Sequence, residues 1–187
     1  RKLFTGTMQK PWELMLTSGY ELEAVKASTA SFNQVQYRTV DRLVQEDAFR
    51  LTIAPSEAGG GVQIASKSYF REDMLAQTQN DAVLSFMVKL ESAVPSSVML
   101  GMSCESEGDP AGSCSTQLNI ADKLAELPLN EWATFTVDTR CFVNKGIKFE
   151  NMVVPFQLST SQALTLSVSE ISFKFDQAKS ANIICAQ

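Results

Sequence analysis

The chain contains no histidine among its 187 residues. This absence excludes imidazole as a general acid or base, Ser-His catalytic triads and His-ligated zinc. The Cys-x-x-Cys spacing of zinc and redox sites is missing as well. We therefore expect no catalytic residue, no metal ligand set and no cofactor in this chain.

Clusters of positive charge and long apolar runs are equally scarce. The net charge is −5, and lysine and arginine never form a run. Nucleic acids and anionic membranes need a basic patch, and a membrane span needs a long apolar segment. We therefore expect neither of them as a partner. The apolar content of 44% is ordinary for one globular domain.

The start of the chain lacks both an initiator methionine and the apolar region of a signal peptide. It opens on Arg1-Lys2-Leu3-Phe4, which indicates a mature fragment or an excised domain. We expect residues 1–11 to be an irregular lead-in, residues 12–176 a single β-sandwich and residues 177–187 a tail.

Four cysteines favour an oxidising compartment. Cys104 and Cys114 flank a short loop that contains Gly108, Asp109, Pro110 and Gly112. A disulfide between them would stabilise the fold by roughly 3 kcal/mol in the chain-entropy model, and it is favoured over free thiols. Cys141 and Cys185 then remain to pair by elimination.

Short alternating segments dominate the rest of the chain. Ala82–Leu90, Asn33–Asp41 and Glu131–Phe142 each place apolar side chains at every second position, which is the period of a strand. About ten such segments, separated by turn signals, predict an all-β antiparallel sandwich. Ser68–Gln79 and the segment 121–128 are read as one or two short helical turns, and Ala27–Phe32 as a loop.

Carboxylates do not form a catalytic pattern. A glycosidase holds two of them across one sugar ring, whereas neighbours on extended backbone point to opposite sides. This argues against the adjacent pairs Glu46-Asp47 and Glu72-Asp73. Glu105, Glu107 and Asp109 fall in the cysteine loop, where solvated charge is the simpler interpretation. Turn carboxylates could hold a structural calcium ion, but no Asp-x-Asp-x-Asp loop supports one.

A polar stripe on the predicted strand 33–41 is the best ligand-facing candidate. Gln34, Gln36 and Arg38 would point outward while Val35, Tyr37 and Thr39 point inward; an ordinary solvated sheet face is the alternative. Sugars also need flat aromatic platforms, for which Tyr37, Tyr69 and Trp132 are the candidates. Trp132 itself and five phenylalanines follow strand patterns that favour the core: Phe135, Phe142, Phe156, Phe173 and Phe175. Trp12 fits its own core or a neighbouring domain equally well.

Four segments together resemble a known family. KPWELML, VQYRTVDRLVQEDAFRLTI, LNIADKLAELPLNEWATFTVDTRCF and VVPFQLSTSQALTLSVSEISF occur in this order between Leu3 and Phe175. They resemble the C-terminal accessory domain of bacterial family 3 glycoside hydrolases, which are exo-acting β-glucosidases and β-glucan glucohydrolases. That domain is a jelly-roll sandwich related to galactose-binding and carbohydrate-binding modules.

The resemblance implies a non-catalytic domain, because the family's nucleophile and acid/base lie in preceding domains. It matches the turn Asp41, Arg42, Gln45, Glu46 and Asp47 to a recurrent motif of the family. With the polar stripe, this makes Gln34, Gln36, Arg38, Asp41 and Gln45 the candidate ligand-binding residues. A periplasmic or extracellular bacterial protein is implied. The tail that carries Cys185 has no counterpart in the family, which leaves the pairing of Cys141 open.

Three hypotheses follow for function. The domain packs on the catalytic domains of the same enzyme and helps shape the rim that binds β-glucan or glucose oligosaccharides. Alternatively, it is an autonomous carbohydrate-binding module, which requires exposed aromatic and amide groups on one sheet face. A purely structural clamp between catalytic domains is the third.

Overall fold

The computed structural model describes residues 1–106 and 114–186, and this part of the chain contains thirteen short strands, many of which alternate apolar and polar residues. The strands are β1 Lys2–Phe4, β2 Trp12–Ser18, β3 Glu21–Ala24, β4 Thr29–Phe32, β5 Val35–Val40, β6 Ala48–Ile53, β7 Gly60–Ser66, β8 Val83–Leu90, β9 Met99–Cys104, β10 Ser115–Asn119, β11 Trp132–Asp138, β12 Met152–Thr160 and β13 Leu164–Lys174.

The helical segments in this part are short. They are the α-helices α1 Ala121–Leu124 and α2 Arg140–Val143 and the 3-10 turns Lys67–Tyr69, Leu75–Thr78, Phe149–Asn151 and Ala178–Ser180. A helical turn is thus confirmed after residue 120, and the stretch 68–79 contains two separate 3-10 turns. No helix in the described residues has the length and apolar character needed to cross a membrane.

Two antiparallel sheets face each other. Sheet A has the strand order β11-β8-β13-β6-β5-β4, with β1 added beside β13, and sheet B has the order β10-β9-β12-β7-β2-β3. Every pairing between named strands is antiparallel, for example β13 with β8 and β12 with β7. The expected antiparallel jelly-roll sandwich is therefore confirmed.

The core lies between the sheets and is filled by the inward positions of each strand. Phe86 of sheet A lies 5.5 Å from Phe135 of the same sheet and 5.4 Å from Phe156 of sheet B, measured between ring centroids. All three rings are essentially inaccessible to solvent. Each contributes roughly 1.5–3 kcal/mol by burial, so this cluster helps to fix how the sheets face each other. Phe142 and Phe173 are buried as expected, whereas Phe175 is 40% exposed.

Part of the predicted irregular lead-in, residues 1–11, is ordered as a strand. Lys2–Phe4 forms β1, which pairs with β13, and Leu3 is completely buried. Two apolar residues are too few to show a strand period in the sequence, but they suffice to cover the end of the core. Trp12 is 3% exposed and belongs to the domain's own core. The boundaries at residues 11 and 176 stay a prediction.

The segment predicted as a loop at 27–32 contains the edge strand β4. Thr29–Phe32 pairs with β5 in a tight hairpin whose turn residue Asn33 has a φ of 51°. Its composition, TASF, lacks the apolar alternation of a strand. Pairing with β5 therefore supplies the conformation that the local sequence does not indicate.

Both expected disulfides are present, Cys104–Cys114 and Cys141–Cys185, with Cα atoms 5.0 and 5.2 Å apart. Glu107, Gly108, Asp109, Pro110 and Gly112 lie outside the described residues. The second bridge ties the tail to α2, which directly follows β11. There the backbone of Ile183 exchanges hydrogen bonds with Thr136 and Asp138, so the tail lies along the edge of sheet A.

Candidate functional site

Gln36 and Arg38 lie where the alternation of β5 predicts them, exposed on the outer face of sheet A. Paired residues on neighbouring strands share a face. The register therefore extends from Arg38 through Arg50 of β6, Ser167 of β13 and Lys89 of β8 to Trp132 of β11. The outer face of sheet A thus carries a row of three cations that ends at a tryptophan.

Gln34 does not join this row. Its amide nitrogen donates to the carbonyl oxygen of Gly59 at 2.7 Å, and its amide oxygen accepts from Ser18 Oγ at 2.9 Å. Ser18 and Gly59 adjoin strands of sheet B, so Gln34 links the two sheets at this end of the sandwich. Its polar groups are used within the fold.

The turn at 41–47 is also held by its own carboxylates. Asp41 accepts a hydrogen bond from the backbone of Glu46 at 2.7 Å, and Asp47 accepts from the backbones of Arg42, Leu43 and Val44 at 2.6–3.2 Å. Burial alone would raise the pKa of Asp47, but these backbone hydrogen bonds and the charge of Arg42 outweigh it and lower that pKa.

Arg42 connects this turn to sheet A. Its guanidinium forms an ion pair with Glu170 and lies 6.0 Å from the centre of the Trp132 ring. The Nζ atom of Lys89 lies 5.6 Å from the centre of the same ring, so two cations lie over the Trp132 ring. Trp132 is only partly exposed, and its neighbours limit its use as an open platform.

A cleft of about 510 Å³ lies on the outer face of sheet A. It is lined by Thr29, Ala30, Ser31, Gln36, Tyr37, Arg38, Arg50 and Thr52. Of the five predicted ligand residues, Gln36 and Arg38 share this cleft, whereas Gln34, Asp41 and Gln45 do not line it. We call it the arginine cleft.

A larger groove lies on the outer face of the other sheet. Its volume is about 1050 Å³, and strands β2, β9, β10 and β12 contribute to its floor. The residues that carry its polar character are Thr17, Glu57, Ser103, Ser115, Gln117, Gln157 and Ser159. Tyr20 stands at its rim and is fully exposed. We call it the glutamine groove.

Three glutamines follow one register row across this face. Gln63 of β7 lies opposite Gln157 of β12, Gln157 lies opposite Gly101 of β9, and Gly101 lies opposite Gln117 of β10. A Cβ atom at Gly101 would lie 3.1 Å from Cγ of Gln117. The missing side chain at Gly101 therefore leaves room for the flanking glutamines.

Tyr69 closes one side of the row. Its hydroxyl accepts a hydrogen bond from Nε2 of Gln63 at 2.7 Å and lies 3.8 Å from the sulfur of Met15. Ser68 and Tyr69 both have a positive φ, of 56° and 55°, a conformation that side chains rarely adopt and that is often found at ligand sites. Burial of the tyrosine raises its pKa, although the hydrogen bond from Gln63 opposes this.

Tyr37 is not a sugar platform. It is 7% exposed and stacks on Phe49 with 5.6 Å between ring centroids. Burial, together with the negative charge of Glu46, raises the pKa of Tyr37 to about 12. Of the three aromatic candidates, Tyr69 alone combines substantial exposure, 42%, with a place on the polar outer face of sheet B.

The adjacent acidic pairs have structural partners. Glu72 forms an ion pair with Arg1 at 3.3 Å, and Asp73 accepts a hydrogen bond from the backbone of Leu75 at 3.0 Å. Within residues 1–106 and 114–186, no group of three acidic or cysteine side chains is placed to hold a metal ion.

The sequence did not reveal the glutamine groove, because its residues come from strands far apart in the chain. One signal was present: Gln63, Gln117 and Gln157 each stand near the middle of a strand, at a position whose neighbours are apolar or small. A polar side chain at such a position faces away from the core. The register that aligns the three needs the folded sheet.

Two antiparallel sheets with short connecting helical turns define a β-sandwich. The chain belongs to the Exop_C family: the family profile, described as galactose-binding domain-like, matches residues 10–173. This agrees with the resemblance to accessory domains of glycoside hydrolases. Among curated proteins, none matches the chain.

Solved structures support the same fold. The extra C-terminal domain of an exo-1,3/1,4-β-glucanase from a Pseudoalteromonas species is 12% identical, with a TM-score of 0.73, and the match covers 100% of this chain and 99% of that domain. In a structure of the whole enzyme, the TM-score is 0.69 at 12% identity, and the match covers 93% of this chain but 20% of the enzyme.

A family 30 carbohydrate-binding module of a Clostridium thermocellum cellulosomal cellulase is 12% identical, with a TM-score of 0.67, and the match covers 94% of this chain and 96% of the module. At these identities the likeness concerns the fold. The chain spans about a fifth of the length of the first enzyme it matches.

Proposed function

We propose that this chain is a non-catalytic, sugar-binding domain of a longer β-glucan-degrading enzyme, and that its glutamine groove binds a stretch of β-glucan. The amides of Gln157 and Gln117 carry this proposal, because both residues line the groove and flank Gly101 in one register row. Amide groups donate to and accept from sugar hydroxyls at once, and a groove of this volume is large enough for several sugar units.

The free amides are placed for such a role. Among the residues that the structure describes, the side chains of Gln117 and Gln157 have no hydrogen-bond partner, whereas Gln63 is fixed by Tyr69. Tyr20 at the rim offers an exposed ring on which a sugar can stack. Family membership, and the sugar-binding module with the same fold, point to the same ligand class.

Affinity electrophoresis of the isolated domain tests this proposal. Gels that contain laminarin or a mixed-linkage β-glucan should retard the domain, whereas a gel without polysaccharide should not. Equal mobility in all of these gels would contradict the proposal. The isolated domain should also release no product from an aryl β-glucoside, and clear turnover would overturn its non-catalytic assignment.

A second candidate role is packing on the catalytic domains of the same polypeptide, at the rim of their active site. It is favoured by the turn 41–47, which presents two exposed apolar side chains, Leu43 at 74% and Val44 at 65%. Asp47 fixes the backbone of both residues. A rigid apolar tip of this kind suits a contact with another domain.

The double substitution Leu43→Ser and Val44→Ser, made in the full-length enzyme, distinguishes packing at the active-site rim from a purely structural clamp. Rim packing predicts a higher KM for β-glucan oligosaccharides at unchanged stability of the isolated domain. A purely structural clamp predicts lower stability of the whole enzyme with unchanged kinetics. For the location, the two disulfides and the ligand class support the periplasm or the exterior of a bacterium.

A further inference from the structure

The arginine cleft contains two like charges placed directly opposite each other. Arg38 of β5 pairs in register with Arg50 of β6 on the outer face of sheet A. Directly opposite residues of antiparallel strands have Cβ atoms about 4.5–5.5 Å apart, and like charges in such a pair are destabilising. This pair occurs in a chain of net charge −5, which has 16 basic residues in total.

Only one of the two arginines is neutralised. Both oxygens of the Glu91 carboxylate accept from the Arg50 guanidinium, each at 2.8 Å, and Ser167 Oγ donates to Glu91 at 2.6 Å. Lys89 Nζ lies 3.9 Å from the same carboxylate. The carboxylate of Glu91 therefore interacts with two cations, Arg50 and Lys89, and neither of these interactions neutralises Arg38.

Arg38 is exposed, and its guanidinium has no hydrogen-bond or ion-pair partner among residues 1–106 and 114–186. Three cations, Arg38, Arg50 and Lys89, therefore accompany the one carboxylate of Glu91, and the local net charge is +2. A planar guanidinium that is free to turn can bind a carboxylate or sulfate through two parallel hydrogen bonds.

The other groups that line the cleft are those of a sugar site. The hydroxyls of Thr29, Ser31 and Thr52 and the amide of Gln36 face the same space. In the described part of the chain, none of these four side chains has a hydrogen-bond partner. The volume of about 510 Å³ lies within the range of small-ligand pockets.

We propose that the arginine cleft is a second saccharide site, specific for an acidic sugar whose oxyanion pairs with Arg38. Hydroxyls and the amide of the cleft bind the neutral part of the ring. The oxyanion is a uronic acid carboxylate or a sulfate ester. This site lies on the sheet opposite to the glutamine groove, so it does not depend on whether that groove binds neutral β-glucan.

Affinity electrophoresis in sodium polygalacturonate and in dextran sulfate tests the proposal and distinguishes the two oxyanions. At least one polymer should retard the wild-type domain, and retardation should weaken as sodium chloride is raised, because exposed ion pairs are screened. Arg38→Gln should lower the affinity by about tenfold. The matched control, Lys148→Gln, removes one exposed charge outside the cleft and should behave as wild type.

Glu91→Gln should change the affinity for the acidic polymer in the opposite direction. It releases Arg50 from its carboxylate, so binding of the acidic polymer should become several-fold tighter. Circular dichroism should show that all variants are folded. Retardation by neither polymer, or equal retardation of wild type and Arg38→Gln, would overturn the proposal. Equally strong competition by inorganic polyphosphate would refute the saccharide part, because it would show that charge alone is recognised.

Discussion

Gln63 on β7 and Gln157 on β12 lie directly opposite each other on the outer face of sheet B, yet their amides have different roles. Gln63 is 6% exposed and donates to the hydroxyl of Tyr69. Gln157 is half-buried, and its side-chain amide has no hydrogen-bond partner in the part of the chain that the structure describes. One amide is used within the fold, and the other is available to a ligand.

Tyr69→Phe should destabilise the domain by about 1–3 kcal/mol, because the buried amide of Gln63 loses its acceptor. Urea unfolding followed by tryptophan fluorescence measures this loss. Tyr20→Phe is the matched control, since the Tyr20 side chain is fully exposed, and its unfolding free energy should stay within about 0.5 kcal/mol of wild type. Equal stabilities of the two variants would show that the hydrogen bond to Tyr69 contributes nothing.

The two disulfides should differ in how much they stabilise the fold. The Cys141–Cys185 bridge closes 44 residues and the Cys104–Cys114 bridge closes 10. In the chain-entropy model this gives about 4 kcal/mol for the longer loop and about 3 kcal/mol for the shorter one. Double Cys→Ser variants of each pair, unfolded in urea, should show this order.

Loss of the Cys141–Cys185 bridge should also release the tail. Hydrogen exchange at Asp138 and Ile183, whose amides link the tail to β11, should then become faster than in wild type. Unchanged protection of these two amides would mean that packing alone holds the tail in place.

The ion pair of Glu91 predicts a specific pH dependence of stability. Burial by itself would raise the pKa of Glu91, but hydrogen bonds from Arg50 and Ser167 and the charges of Arg50 and Lys89 outweigh it, so the pKa lies below the ordinary value of 4.5. A carboxylate whose pKa falls on folding stabilises the native state fully above its ordinary pKa, and this contribution is lost as the pH falls through the folded pKa.

Glu91→Gln should therefore lower the melting temperature at about pH 7 and make it less sensitive to acid between about pH 5 and about pH 3 than in wild type. Glu131→Gln, an exposed carboxylate at the start of β11, is the control and should leave the pH profile unchanged. Parallel profiles for wild type and Glu91→Gln would refute the assigned role of Glu91.

The sequence predicts the strands with strong alternation well. In β5, Val35 and Tyr37 are buried while Gln36 and Arg38 are exposed, as the period of two requires. The edge strands β1 and β4 escape prediction, because Leu3-Phe4 is too short to show a period and TASF has no apolar face. Their conformation comes from pairing with β13 and β5.

The site could be predicted only in part, for a different reason. Gln36 and Arg38 follow from their strand, but Gln34 turns toward sheet B because Ser18 and Gly59 offer hydrogen bonds there. Arg50 and Arg38 are not near enough in sequence to suggest a pair. The row formed by Gln63, Gln157 and Gln117 depends on the register of β7, β12, β9 and β10, which no local pattern contains.

The measurement that tests the central claim most directly is calorimetric titration of laminarin oligosaccharides into wild type, the double variant Gln117→Ala and Gln157→Ala, and Gln79→Ala. The double variant removes both free amides of the glutamine groove, whereas Gln79→Ala removes an exposed amide that lines neither this groove nor the arginine cleft. We expect about tenfold weaker binding by the double variant and wild-type binding by Gln79→Ala. Equal affinity of all three proteins, or no heat with the wild type, would contradict a β-glucan site in the glutamine groove.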